Sequence, residues 1–245
     1  MSDYPQIEQL CKSLGDSNFG DVMIVGGGIS GIQASLDLGT AGFKVYLVDA
    51  APTIGGHMAQ LDKTFPTNDC SMCIESPKFV ECNRHPNIEI MTYTEVDRVE
   101  GEAGNFKVTL NKKPRYINAD KCTGCTSCAE YCPVKYPDRF NQDISKNKAV
   151  HIYFPQAIPL KPYIDESCLY LKERKCRICE GVCKNNAIDL NRTGEKIEVK
   201  VGAVILAPGF EPFDPQVRAE YRYGEFQNVV TRYGLRTAAV RHRAV

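Results

Sequence analysis

Cys122, Cys125, Cys128 and Cys132 are separated by two, two and three residues, and Pro133 follows the last of them. This is the full run of bacterial ferredoxins, in which three thiolates wrap one 4Fe-4S cluster and the fourth reaches a neighbouring one. Thiolate is the soft ligand that such clusters select, and the proline turns the chain away after the last ligand. A second set, Cys168, Cys176, Cys179 and Cys183, is spaced by seven, two and three residues, with Lys184 where proline is usual. Its first gap is five residues longer than the standard run allows, so its geometry is less fixed. By the crossover rule Cys122, Cys125, Cys128 and Cys183 hold one cluster, and Cys168, Cys176, Cys179 and Cys132 the other. Two readings compete with this. One is a zinc knuckle, which wants four ligands and leaves the second set unexplained; the other is a single cluster beside buried thiols.

Cys70, Cys73 and Cys82 stand outside both runs, the first two within Asn-Asp-Cys-Ser-Met-Cys-Ile-Glu-Ser-Pro-Lys. Three thiols without a fourth are open to three readings: buried, redox-active, or part of a further cluster closed by another chain. A functional role is expected of Cys70 and Cys73 more than of Cys82 and Cys11. His57 and His85 are lone histidines and read as structural.

A different chemistry is written at Gly26-x-Gly28-x-x-Gly31. The pattern gains weight from its context, after an apolar strand (Asp21 to Val25) and before a helix carrying Ile32, Ala34, Leu36 and Leu38. Gly26 makes the tight turn, Gly28 lets a pyrophosphate approach the backbone, and Gly31 lets helix and strand pack closely. Unpaired N–H groups and the positive dipole end at the helix start then face the phosphates. Asp49 closes the second strand (Lys44 to Val48), where a carboxylate can accept from ribose hydroxyls. The plainer alternative is a glycine-rich turn beside a solvated aspartate. FAD is expected over NAD because Gly55-Gly56 follow Asp49 and because Ala207-Pro208-Gly209 follow a later apolar strand, both as in two-dinucleotide-binding flavoproteins. The sequence has no second Gly-x-Gly-x-x-Gly, so no nicotinamide site is assigned.

These residues need a framework. Gly42 closes the first helix, and the unit is βαβ. Residues 52–82 read as loop plus one short helix. From Ile88 the pattern turns to strands, Ile88 to Tyr93, Val96 to Glu100 and Phe106 to Leu110, which read as a meander. Cysteine- and proline-rich sequence interrupts it before Lys196 to Val201 and Ala203 to Leu206 resume as strands. The expected fold is therefore α/β, a Rossmann-like FAD-binding domain with an inserted α+β ferredoxin-like domain. The expected boundaries are 1–114 and 196–230 for the two parts of the FAD domain, 115–195 for the insert, and 231–245 for an atypical Arg- and Ala-rich tail. An insert must leave and return at one place, and a hairpin tip between Leu110 and Lys196 suits that.

Composition narrows the function classes. Thirty Lys and Arg balance thirty Asp and Glu over 245 residues, so no net field draws nucleic acid or anionic membrane. The most apolar stretches fall well short of the roughly 20 residues of a membrane span. Met1 to Gly20 carry Asp3, Glu8 and Asp16 and lack the build of a secretory signal, so a cytoplasmic protein is expected. In that compartment the 12 cysteines point to metal ligation, and disulfides are not expected.

The stretch Gly55-Gly56-His57-Met58-Ala59-Gln60-Leu61-Asp62-Lys63-Thr64-Phe65-Pro66, the following Asp69-Cys70-Ser71 and the embedded ferredoxin run together resemble the A subunit of heterodisulfide reductase, over nearly all of residues 20 to 230. Members of that family are cytoplasmic FAD and iron-sulfur components of larger complexes in methanogens and anaerobic bacteria, where the flavin can bifurcate electrons between two acceptors. The resemblance implies that Gly26, Gly28, Gly31, Asp49, Gly55, Gly56 and Gly209 serve FAD and that the eight cysteines of the two runs hold two clusters. It further implies partner subunits of a heterodisulfide reductase-like complex and an electron donor such as a hydrogenase or dehydrogenase subunit or a ferredoxin. Heterodisulfide cleavage would fall to a partner. The chain lacks an N-terminal domain that some members have and stops matching after Val230, which implies a truncated member. The alternative class is a non-enzymatic iron-sulfur carrier or docking module without flavin, and a third is a colourless zinc-stabilised interaction protein.

Overall fold

A computed structural model describes residues 20–235; Cys11 and the last ten residues of the tail lie outside them. The described residues form two compact units. One comprises residues 20–54, 78–114 and 193–208, the other 55–77, 115–192 and 209–235.

The first unit is built on a four-stranded parallel sheet. β1 (Val22–Val25) leads through α1 (Ile29–Thr40) to β2 (Val45–Asp49), and Gly42, at φ +97°, follows the helix end. β3 (Ile88–Thr92) pairs parallel with β2 from Val45 opposite Ile88 to Asp49 opposite Thr92. This corrects the expected meander: the strand is the third of the parallel sheet. The reason is a crossover through α2 (Ser71–Arg84), a helix of 14 residues in place of the short one expected. Ser71, Glu75, Phe79 and Cys82 recur at helical intervals and are all fully buried. That buried stripe carries the helix past Pro77, which lacks the N–H for its own rung.

On the other side of β1 lies β11 (Ala203–Leu206), parallel to it from Val22 opposite Ala203 to Val25 opposite Leu206. The sheet order is β11-β1-β2-β3. A second, antiparallel sheet holds β4 (Thr94–Glu102), β5 (Asn105–Lys112) and β10 (Glu195–Val201), with β5 in the middle. Its inward residues Val108, Leu110 and Val201 pack with Met23 and Val48 of the parallel sheet in one core. β5 and β10 pair from Phe106 opposite Val201 to Lys112 opposite Glu195, so the chain leaves and returns at one end of a two-strand ladder.

Short elements make up the second unit: α3 (Ser127–Glu130), β6 (Lys135–Pro137), β7 (Lys146–Lys148), β8 (Val150–His151), β9 (Tyr163–Ile164), α4 (Leu169–Glu173) and α5 (Ile178–Val182). A bridge between Ile117 and Ile188 ties together the ends of its segment 115–192. The core is small and cysteine-rich, with Cys132, Cys168 and Cys179 buried among Ile117, Val150, Ile164 and Leu190. Among the described residues no helix is long and apolar enough to cross a membrane.

Candidate functional site

The first site is the turn from β1 into α1. Gly26, at φ +112°, donates its N–H to Val48 O at 2.8 Å, and a Cβ there would stand 2.0 Å from Ala207 O. At Gly31 a Cβ would stand 1.9 Å from Gly26 O. Both approaches are backbone against backbone, so neither position has room for a side chain. Gly28 is the residue before the helix, extended at φ −77° and ψ −178°, and no side chain caps the helix start. The turn is therefore a bare cradle with helix N–H groups at its mouth, which fits a pyrophosphate.

Asp49 reaches into that turn. Its Oδ2 accepts the Gly27 N–H at 2.5 Å and its Oδ1 the Ala51 N–H at 2.7 Å. Burial pushes its carboxyl above the usual carboxylate range, opposed by these two bonds. Each oxygen keeps a further lone pair for a hydroxyl. Gly27, which the motif leaves unspecified, is as constrained as its neighbours: a Cβ would stand 2.8 Å from both Asp49 Oδ2 and Ile54 Cγ2. The only signal for it in the sequence is the run of three consecutive glycines. Gly55 (φ +134°), Gly56 (φ +58°) and Gly209 (φ +73°) adopt backbone conformations that favour glycine, and all three fall in the second unit.

The second site lies in the cysteine-rich unit. A cavity of about 200 Å³ is lined by Cys122, Cys125, Cys128 and Cys183, with Ile117 and Ile188 as apolar wall. Three of these cysteines come from the first run and one from the second. Burial pushes the Cys128 thiol up to about 11, with the neighbouring sulfurs of Cys122, Cys125 and Cys183 adding to it. The Cys125 thiol is shifted the other way, by hydrogen bonds from the Ser127 backbone and hydroxyl. Cys179 is pushed up to about 12, first by burial and then by Cys168, Cys128 and Cys132. Its sulfur neighbours thus span both runs too. Cys176 is half-buried ahead of α5. Thiolates crowded in an apolar pocket repel one another, and a bound cation set is what lets all of them ionise. Donor type, crowding and cavity fit iron-sulfur clusters. Among the described residues no three His, Cys, Asp or Glu side chains converge as ligands of a single ion would.

Cys70 and Cys73 are joined at a Cα separation of 5.2 Å, which corrects the expectation of no disulfides. The two-residue gap at the start of α2 sets the sulfurs side by side, and the Cys73 N–H also donates to Cys70 Sγ at 3.2 Å. Cys82 is fully buried, its thiol pushed up to about 12 by burial, as befits a core residue. Glu75 carries no signal in the sequence that would single it out. Its carboxyl is fully buried with no hydrogen-bond partner for either oxygen, and burial pushes it up to about 8. His57 Nδ1 pairs with Gln60 Oε1 at 2.9 Å and His85 Nδ1 accepts the Asn87 N–H at 3.2 Å, both local structural contacts.

A family model described as FAD dependent oxidoreductase matches residues 21–72, and one described as 4Fe-4S binding domain matches residues 115–135. The first βαβ unit is thus similar to that of FAD-dependent oxidoreductases, and the first cysteine run to that of 4Fe-4S binding domains. Among curated relatives, the A subunit of the H(2):CoB-CoM heterodisulfide,ferredoxin reductase of Methanothermobacter marburgensis is 50% identical over 210 residues, 85% of this chain and 31% of its own. One of the iron-sulfur A subunits of the CoB--CoM heterodisulfide reductase of Methanopyrus kandleri is 52% identical over 210 residues, 86% of this chain and 31% of its own. The chain is a homologue of the heterodisulfide reductase A subunits and spans about a third of the length of these relatives. The solved L-proline dehydrogenase of P. horikoshii is 28% identical over 37% of this chain and 18% of its own, with a TM-score of 0.33, too partial a likeness to argue from.

Proposed function

We propose that this chain is part of an electron-transfer subunit that relays electrons between FAD and two 4Fe-4S clusters. The observation that carries the reading is the cavity drawing Cys183 of the second run to Cys122, Cys125 and Cys128 of the first. That crossover is the arrangement of two-cluster ferredoxins. Cys132, Cys168, Cys176 and Cys179 are the ligands assigned to the other cluster. Gly26, Gly28, Gly31 and Asp49 are assigned to FAD on the strength of the bare cradle, and Gly55, Gly56 and Gly209 by likeness to flavoproteins. A bound flavin supplies exchange between two-electron and one-electron chemistry. The chain's own part is to hold the pyrophosphate on helix N–H groups and to bury the thiolates that fix each cluster.

The domain reading goes with this: a ferredoxin-like segment inserted between β5 and β10 of the flavin domain. The partners proposed are the other subunits of a heterodisulfide reductase-like complex, with a hydrogenase or dehydrogenase subunit or a ferredoxin as electron donor, in the cytoplasm. Relatives named for both a heterodisulfide and a ferredoxin support a part in electron bifurcation. Cofactor analysis of anaerobically purified protein tests the reading. The expected content is about one FAD and about eight irons with matching sulfide per chain. Stoichiometric zinc without sulfide would overturn the cluster assignment, and iron-sulfur absorption without flavin would leave only a carrier.

A further inference from the structure

Two lysines from the segment between the cysteine runs reach back to the ligand cysteines. Lys148, at the end of β7, donates from Nζ to the carbonyl oxygen of Cys132 at 2.5 Å. Lys161, between β8 and β9, donates from Nζ to the carbonyl oxygen of Cys122. They lie 16 and 39 residues from those cysteines, so the contacts come from folding and not from the local run. Both lysines are half-buried, and among the described residues neither stands in an ion pair. By the crossover, Cys122 and Cys132 belong to different clusters, so each cluster has one ammonium fixed on the backbone of one of its ligands.

We propose that Lys148 and Lys161 are potential-setting residues, one for each cluster, each raising the reduction potential of the cluster whose ligand carbonyl it holds. The inference rests on the two-cluster reading above. A cluster held by four thiolates is negatively charged and becomes more so when it takes an electron. A nearby fixed cation favours the electron-rich form, and hydrogen bonding, charge and solvent exposure are the protein's means of setting the potential. The ammonium also neutralises a carbonyl dipole whose negative end would oppose reduction. Screening separates the two sites. Cys132, Cys168 and Cys179 are each 6% exposed, whereas Cys125 is open to solvent, so Lys148 should act more strongly than Lys161.

The test is a redox titration followed by electron paramagnetic resonance on the full chain, with iron and sulfide measured for every variant. Lys148→Met is expected to lower the reduced-to-oxidised ratio of one cluster about tenfold at fixed poise, which is 59 mV for one electron. Lys161→Met should move the other cluster in the same direction by less, and Lys148→Arg and Lys161→Arg should stay near the parent. Where a Met variant loses iron, the Gln variant gives the same reading, since it keeps a donor for the carbonyl and drops the charge. Unmoved potentials in variants with full iron would overturn the proposal and leave the clusters in place; the lysines would then only fasten loops. Absence of iron and sulfide from the parent chain would instead sink the two-cluster reading itself.

Discussion

Asp49 closes the turn through the Gly27 and Ala51 N–H groups, and it is the carboxylate proposed for the ribose of FAD. Asp49→Ala leaves two donors without acceptors, one of them on buried Gly27. The expected cost is about 1–3 kcal/mol, seen as a lowered denaturation midpoint, together with loss of FAD from the purified protein. An unchanged midpoint would show that water serves the turn equally well. His151 gives a test by pH. It is 4% exposed, with Nε2 3.2 Å from the Tyr163 hydroxyl. Burial holds its imidazole below the usual range, although the charges of Asp138 and Asp165 and a backbone contact with Lys148 pull the other way. As pH falls through about 6.5 the unfolded chain takes the proton before the folded one does. Stability is therefore lost on acidification, by about 1.4 kcal/mol per pH unit at most, until the folded imidazole titrates. Denaturation midpoints between pH 7 and 5 should fall less steeply in His151→Gln; equal slopes would remove His151 from the account.

Among the elements, α1 and β1 depend on each other through Gly31. The 1.9 Å that a Cβ would leave to Gly26 O cannot be relieved by turning a side chain, because the obstacle is backbone. Gly31→Ala is expected to cost at least about 1–3 kcal/mol and to lower FAD content, as the helix start is forced off the strand end. Thermal unfolding with flavin release measures both, and retention of both would mean the turn is looser than its geometry implies. The βαβ unit is readable in the sequence because it is local: one apolar strand, three spaced glycines and one amphipathic helix within 30 residues. α2 is not, because its buried stripe includes Ser71 and Glu75, which read as solvent-facing, and because Pro77 reads as a stop. β3 misleads for a related reason. A short β-rich run looks the same whether it pairs parallel after a helical crossover or antiparallel after a turn.

For the molecule as a whole, the point to test is how the two cysteine runs share their ligands. Cys132→Ser should remove the cluster assigned to Cys168, Cys176 and Cys179 and spare the one in the cavity, leaving about four irons of about eight. Cys183→Ser should do the opposite. Iron analysis with electron paramagnetic resonance separates the two, and loss of the same cluster from both variants would end the crossover assignment.

The chemistry is legible in the chain before folding, because gaps of two and three residues between thiols, and a glycine turn before a helix, are set by chain geometry over a few bonds. Other meetings of distant residues come from packing in three dimensions. Ala207 O comes to lie against Gly26 because β11 pairs with β1. The grouping of Cys183 with Cys122, Cys125 and Cys128 was already expected from the two spaced runs, whereas Lys148 and Lys161 find the carbonyls of Cys132 and Cys122 from 16 and 39 residues away. Such contacts depend on packing between residues far apart in the chain, which no local spacing or periodicity encodes.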